Sequence, residues 1–486
     1  MNLIIAYLAI FLLLAAGFML TVLITGDKIT LKAELYAVSF GLGTGLVFLE
    51  MFIASWYGIH LTTKLFYIAL FVNIVLLYIF SAKKLHKRKL SLVLMKKKTQ
   101  KFGFVEVFLI LVIIFNIALT LVDALALPMK DWDAVAIWSY KAKIIYYESI
   151  KSAGYFTDPT KSYSHPDYPL MVPFMQAYIY TAIGHVDDRL ARLIFFSYYF
   201  FLLLFVYSLM SKSIARNHAL FFTALFATLP ALLNESVSGY SDLPLAFYYF
   251  PMAAYLYLFI KEGRSEHLAL SAVFSALCVF AKNEGMALLL INLAVLAGFF
   301  FSKSREGVPA LHGADRKELK KPYKLRQLFY YTAAVLLIIS PWLIFRRNIT
   351  VIQEDYFSQL NLQVIIGNLP RIPLILSSFV TEFADFKSWN ILWIILVVLA
   401  LFNIEHLLQK PLVFLNVLFL AHLCLYVIIY VITPWEPQIL IKTTISRLLI
   451  HLAPIAVFLC AELFSSGTRY FTVSNSGTQY LIQNSR

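Results

Sequence analysis

Charge is scarce in this sequence. Only 14% of its 486 residues are Asp, Glu, Lys or Arg, where a soluble globular chain carries about a quarter, so a soluble enzyme is excluded. Acids are the rarer sign, 27 against 41 Lys and Arg, and the formal net charge is +14. In a soluble protein that excess would suggest nucleic acid as a partner. Here the basic residues gather in loops between apolar runs, as in the cytoplasmic loops of membrane proteins, and no nucleic acid is expected. Cysteine is nearly absent. Cys278, Cys424 and Cys460 stand far apart inside apolar runs, which gives neither a disulfide framework nor metal-ligand spacing and leaves small buried apolar groups. No internal repeat is visible, against the expectation for a transporter assembled from inverted halves. No basic residue precedes the first apolar run, Asn2 to Ile24, and no small-residue cleavage site follows it. It reads as a spanning helix rather than a removed signal peptide.

What the chain has in abundance is hydrophobic residues, 60% of the total, and aromatics, 16%. They fall in recurring apolar runs, and about 20 such residues suffice to cross the hydrocarbon core. The loop from Lys83 to Lys101 holds nine Lys or Arg and no acid, and the one from Lys303 to Arg326 holds eight against three acids. The bias of basic loops toward the cytoplasm places both inside, and the alternation of runs puts them on the same side independently. The expected fold is an all-α polytopic membrane protein, a bundle of about 13 transmembrane helices. Residues 1–102 supply three N-terminal helices and a basic cytoplasmic loop. Residues 103–346 form a transmembrane core with a long outer loop at 126–188, residues 347–465 an outer segment and the C-terminal helices, and 466–486 a polar tail. Within the outer loop, the Pro-interrupted apolar piece from Leu170 to His185 is short for a span. It is expected to lie along, or dip into, the outer interface.

With that orientation the unusual polar residues gather on the outer face. Asp131-Trp132-Asp133-Ala134 opens the outer loop, with Trp138 and Lys141 behind it, and His165 stands in His165-Pro166-Asp167-Tyr168-Pro169. Arg189 and Arg192 begin the next run, and Asp242, Lys282 with Glu284, Arg346 with Arg347, and Arg447 with His451 follow. Each has an ordinary explanation. Asp133 is a good helix cap, arginines at helix ends snorkel, and Lys282 and Glu284 neutralise each other. Shared sidedness is harder to explain in those terms, because outward basic residues run against the topological bias. The pattern suits transfer of a sugar from a lipid phosphate to a hydroxyl. A carboxylate takes the hydroxyl proton, and cations or a divalent metal ion stabilise the departing phosphate. Aromatic rings suit the apolar face of a sugar, and a groove between helices suits an isoprenoid tail.

These motifs, in this order and on one side, resemble the GT-C class of glycosyltransferases. That class includes protein O-mannosyltransferases, oligosaccharyltransferases and the transferases that put aminoarabinose on lipid A. The likeness is greatest to its bacterial branch with Trp-Asp-Ala in the first outer loop, here Trp132-Asp133-Ala134. The His165-Pro166-Asp167-Tyr168-Pro169 stretch resembles the His/Tyr-Pro element of that branch. Gly239-Tyr240-Ser241-Asp242 resembles the second acidic motif, and Lys282-Asn283-Glu284-Gly285 is similar to the lysine-containing turn. The resemblance spans Phe104 to Ile344. It implies a GT-C-like bundle in a bacterial plasma (inner) membrane, using a polyprenyl-phosphate-linked sugar donor. The active site would face outward among membrane lipids, and transfer to a glycan, lipid or protein acceptor would proceed with inversion. Asp133 is the expected general base and Asp131 the other catalytic candidate. Asp242, His165, Trp138, Lys141, Arg189, Arg192, Lys282, Glu284, Arg346, Arg347, Arg447 and His451 are expected to bind substrate. Mannosyltransferases of the class carry adjacent Asp-Glu, whereas Trp132 here separates two Asp residues. The choice of base between Asp131 and Asp133 therefore stays open, as does a divalent ion on Asp131, Asp133 and Asp242. Two further readings share these observations. One is a transporter or flippase of a lipid-linked sugar, which should hold its ionisable residues near the bilayer midplane. The other is a surface-polysaccharide polymerase or ligase.

Overall fold

The computed structural model describes residues 1–26, 28–29, 31–94, 101–303, 325–350, 356–409 and 411–465. Asp27, the later part of the first basic loop, nearly all of the second, Lys410 and the polar tail from 466 lie outside the described residues. Helices dominate, and no strand occurs among the described residues. The cause is physical: hydrocarbon offers no water to a backbone N–H or C=O, so an apolar run bonds its own polar groups by coiling.

In chain order the helices used below are α1 (Asn2–Thr25), α2 (Lys32–Trp56), α3 (Thr63–Leu94) and α4 (Phe104–Ala126). After a π-helical turn, Asp133–Ser139, come α5 (Tyr140–Tyr147), α6 (Met171–Ile183) and α7 (Asp188–Met210). Then follow α8 (Arg216–Ala227), α9 (Pro230–Ser238), α10 (Asp242–Glu262), α11 (Ser265–Ala281), α12 (Asn283–Lys303) and α13 (Leu325–Arg346). The last are α14 (Leu392–Phe402), α15 (Leu412–Ile432), α16 (Pro437–Ile450) and α17 (Ala453–Ser465). Among the described residues nine helices are long and apolar enough to cross a membrane. The number rises to eleven if the bent pairs α8–α9 (61°) and α16–α17 (49°) each count as one span. This is the architecture of a multi-pass membrane protein.

Segments assigned to the same side in the sequence meet at the same end of the bundle. At one end Arg88 donates to the carbonyls of Gly26 (3.1 Å) and Ile29 (2.6 Å), Lys212 pairs with Glu34 at 2.8 Å, and Lys28 pairs with Glu266. Arg216 pairs with Glu106 at 2.7 Å and Ser465 bonds the Ser213 carbonyl at the same end. At the opposite end the Ile150 amide donates to Ser55 (2.8 Å) and His60 meets the Tyr146 carbonyl (2.8 Å). The two sets do not mix.

Small residues let the helices approach closely where neither polar groups nor the hydrophobic effect drives association. A methyl group on Gly17 would sit 1.7 Å from the Ser39 carbonyl oxygen, and one on Gly43 would sit 2.0 Å from that of Leu13. The α1 and α2 backbones are therefore in direct contact. At the centre lies α10, buried over the whole of its apolar window, with Asp242 at one terminus. The expectation of an interfacial helix at Leu170–His185 is corrected. All thirteen residues of α6 are buried, and Tyr178 donates to the Ala9 carbonyl at 2.7 Å. A helix apolar on every face has no wet side to show an interface, so it is enclosed by its neighbours.

Candidate functional site

Six segments far apart in sequence bring their charges together at the end opposite Arg88 and Lys212. The first is the π-helical turn Asp133–Ser139. Its wide coil, a geometry frequent at functional sites, buries Ala134, Ile137 and Trp138 and leaves Asp133 half-buried. Capping does not account for Asp133. No side-chain cap bond is made at this turn, and its carboxylate instead accepts a 2.8 Å bond from Arg447 Nη1, 314 residues later.

The second segment is the turn before α10. Gly239 has φ of +88°, and a methyl group there would lie 2.9 Å from Ala134 Cβ and 3.1 Å from Met129 Sδ. Only glycine fits both the backbone and the space. The turn delivers Asp242, fully buried, into a ring of basic groups. Arg447 Nη2 lies 3.0 Å from Oδ2, while Lys282 Nζ and His451 Nε2 lie 2.8 Å and 3.3 Å from Oδ1. Arg447 also lies flat over Tyr240, 4.1 Å from the ring centre. Lys282 occupies the extended break between α11 and α12 and holds Glu284 as well, at 2.7 Å. Gly285 permits the break, since a methyl group there would meet the Cys278 carbonyl oxygen at 1.9 Å.

A second group adjoins the first. Lys141 is fully buried, donates to the His165 carbonyl at 2.6 Å, and lies over the rings of Trp138 (5.2 Å) and Tyr168 (5.3 Å). Burial pulls its pKa down to about 7, with the nearby Asp167 carboxylate opposing. Asp167 is itself raised by burial, against the pull of Lys141 and of Arg346, whose Nη2 stands 3.9 Å away. His165 adopts a left-handed backbone (φ 50°) and stacks on Tyr168 at 4.3 Å. Burial and then Lys141 push it down to about 4, while Asp133 acts the other way. The imidazole is therefore neutral at pH 7 and feels both groups. Trp138 Nε1, His165 Nδ1 and Asp167 Oδ1 are buried there with no hydrogen-bond partner.

The structure thus unites Asp133, Asp242, Lys282, Glu284, Arg447 and His451, and beside them Trp138, Lys141, His165 and Arg346. Others stand apart. Arg192 donates to the carbonyls of Val237 (2.9 Å), Asp123 (2.8 Å) and Leu127, and pairs with the Asp123 carboxylate at 3.0 Å. It ties the ends of α4 and α9 to α7. Arg189 is exposed and faces Asp187 of its own turn at 3.6 Å, and Arg347 is exposed. Asp131 is half-buried and within electrostatic reach of Tyr240. Among the described residues no three His, Cys, Asp or Glu side chains are placed to hold a metal ion. Asp242 already faces three basic groups, so the donor set Asp131, Asp133 and Asp242 does not fit a divalent ion.

Sequence reasoning passed over Glu235, buried on α9 and close enough to Asp242, Arg447 and Lys282 to feel their charges. It also passed over Tyr240, His422 and Tyr426. The signal for His422 was available, an imidazole in the middle of an apolar run. No protein-family model matches this chain, and neither a curated protein nor a solved structure matches it.

Proposed function

We propose that this chain is an integral membrane glycosyltransferase that moves a sugar from a polyprenyl phosphate to an acceptor hydroxyl at the outer face of a bacterial plasma membrane. Thirteen crossings follow if the short apolar helices α11 and α14 are added to the eleven spans, and an outer position for the charged site rests on the basic loops of the sequence. The observation that carries the proposal is the sorting of charge. Asp133 keeps 28% of its side chain accessible, against 20% for Glu284 and none for Asp242. An accessible carboxylate with a cationic and aromatic patch beside it meets the needs of both reactants.

In this reaction the acceptor oxygen attacks the anomeric carbon from the face opposite the phosphate. Its proton passes to Asp133 as the new C–O bond forms. The old C–O bond breaks, and its electron pair leaves on the phosphate, which Arg346 stabilises at the edge of the Lys141 and Asp167 group. Arg447 keeps Asp133 aimed, because Asp242 anchors the same guanidinium. Lys282 is held by Asp242 and Glu284, so its part is to organise the site. Trp138 and Tyr168 provide faces for the sugar ring. A second reading, a transporter or flippase of a lipid-linked sugar, is favoured by His422 alone, which lies well inside a span. A polysaccharide polymerase or ligase would share the chemistry proposed here.

The test is Asp133→Asn in purified protein, assayed for release of polyprenyl phosphate from a polyprenyl-phosphate sugar. Loss of a general base lowers the rate by about a hundred- to ten-thousand-fold, with the protein still folded because the substitution is nearly isosteric. Near-normal transfer by a folded Asp133→Asn protein would remove the base from Asp133.

A further inference from the structure

The charge network does not stop at His451. Beyond it a line of buried polar groups runs back into the bundle. His451 Nδ1 shares a short hydrogen bond with the Tyr426 hydroxyl, and that hydroxyl shares a second with His422 Nε2. The line ends at His422 Nδ1 and the Tyr249 hydroxyl, both buried without a hydrogen-bond partner, the Tyr249 ring standing edge-on to the imidazole at 4.7 Å. Asp242, His451, Tyr426 and His422 are all sealed from solvent. The line is also deep. His422 sits ten residues from the Ile432 end of α15, about 15 Å at 1.5 Å per residue, or roughly half the hydrocarbon thickness. A polar, ionisable group at that depth is costly and marks function by default.

Counting protons fixes the direction of the line. A tyrosine hydroxyl has one proton, so between two ring nitrogens it donates to one and accepts from the other. At 3.3 Å the contact of His451 Nε2 with Asp242 Oδ1 is out of line for a good hydrogen bond, but its electrostatics are clear. A nitrogen lone pair facing the carboxylate is repelled and an N–H is attracted. His451 therefore carries its proton on Nε2 and offers Nδ1 to Tyr426. Tyr426 donates to it and accepts from His422, which carries its own proton on Nε2. Every donor points toward Asp242. Among the described residues His422 Nδ1 meets no further hydrogen-bond partner, so the line is read as an orienting one.

We propose that His422, Tyr426 and His451 are positioning residues, an oriented line of donors acting through Asp242. They hold that carboxylate in register. Through Arg447, shared by Asp242 and Asp133, they set the pose of the proposed base. The kinetic consequences rest on the transfer reaction assigned above, while the tautomers do not.

Two measurements on the full chain test this. Nitrogen-15 spectra of histidine-labelled protein in nanodiscs, assigned with His422→Gln and His451→Gln, should show both residues as neutral Nε2–H tautomers. His422 found as the Nδ1–H form or as an imidazolium overturns the proposal. In the transfer assay Tyr426→Phe and His422→Leu should each lower kcat about 10- to 100-fold, the scale of losing an outer-shell partner, with KM for the donor changed less than about twofold. His422→Gln should retain most activity, because its amide still donates to Tyr426. If Leu serves as well as Gln, the position needs only apolar volume and the proposal falls. If the wild-type protein transfers no sugar, the transferase reading fails, and the tautomers still decide whether the oriented line exists.

Discussion

A charged side chain buried near other charges is defined by what its partners leave free. Lys141 shows this most directly. Burial lowers its pKa from 10.5 to about 7, so between those values the unfolded chain holds a proton that the folded protein lacks. Stability therefore rises with pH across that window. In Lys141→Met this contribution should vanish, while the raised Asp167 carboxyl works in the opposite direction. Thermal unfolding in detergent at pH 7 and pH 9.5 reads the difference, and an equal upward slope in both proteins would contradict the burial of a neutral amine. Arg192 makes the contrasting case. Its guanidinium serves three backbone carbonyls and one carboxylate, so Arg192→Gln should act on stability, by about 1–3 kcal/mol, and leave the donor KM unchanged. A raised KM with unchanged melting would return Arg192 to the substrate site. Both arginines of the Arg189–Arg192 pair look alike in sequence, because carbonyl partners leave no trace in the residues that supply them. Asp133, Asp242, Lys282, Arg447 and His451 were legible for the opposite reason. Each is a charged or ionisable group close to the end of an apolar run, where its cost has to be met.

Helices explain which of those residues meet. The hairpin of α11 and α12 turns within one residue, Lys282, and the turn closes because Gly285 lies against the Cys278 carbonyl. Gly285→Ala should force the hairpin open, lower the melting temperature through a loss of about 1–3 kcal/mol, and reduce activity by moving Lys282 away from Asp242. Gly298→Ala, where a methyl group meets nothing within 4 Å, is the control and should be close to neutral. Equal effects at the two positions would mean that the close approach is not what the glycine serves. Of this, the Lys282 turn was visible in the sequence and the helix contact was not, since a close crossing depends on the partner strand of carbonyls. The same limit produced the misplacement of α6. An apolar stretch of 13 residues is too short to span, and nothing in its own composition says whether lipid or protein surrounds it.

At the scale of the whole molecule, sidedness was the most legible feature, because two acid-poor or basic loops and the alternation of apolar runs each point the same way. In the structure Glu34, Lys212, Arg88 and Glu266 meet at one end and Asp133, Asp242 and Arg447 at the other. What the sequence does not carry is the closure of the site by α16, whose Arg447 comes from a segment 314 residues beyond Asp133. The central claim is that this closed end receives a lipid phosphate. The direct test is a cryo-electron microscopy structure of the protein in nanodiscs with added decaprenyl phosphate. The account predicts phosphate density within hydrogen-bonding distance of Arg346, on the Lys141 side of Asp133, with the tail leaving between helices into the membrane. Density instead in the apolar cleft of ≈ 450 Å³ at the far end, between His218, Phe222, Val398 and Phe464, or none near Arg346 at saturating lipid, would contradict it.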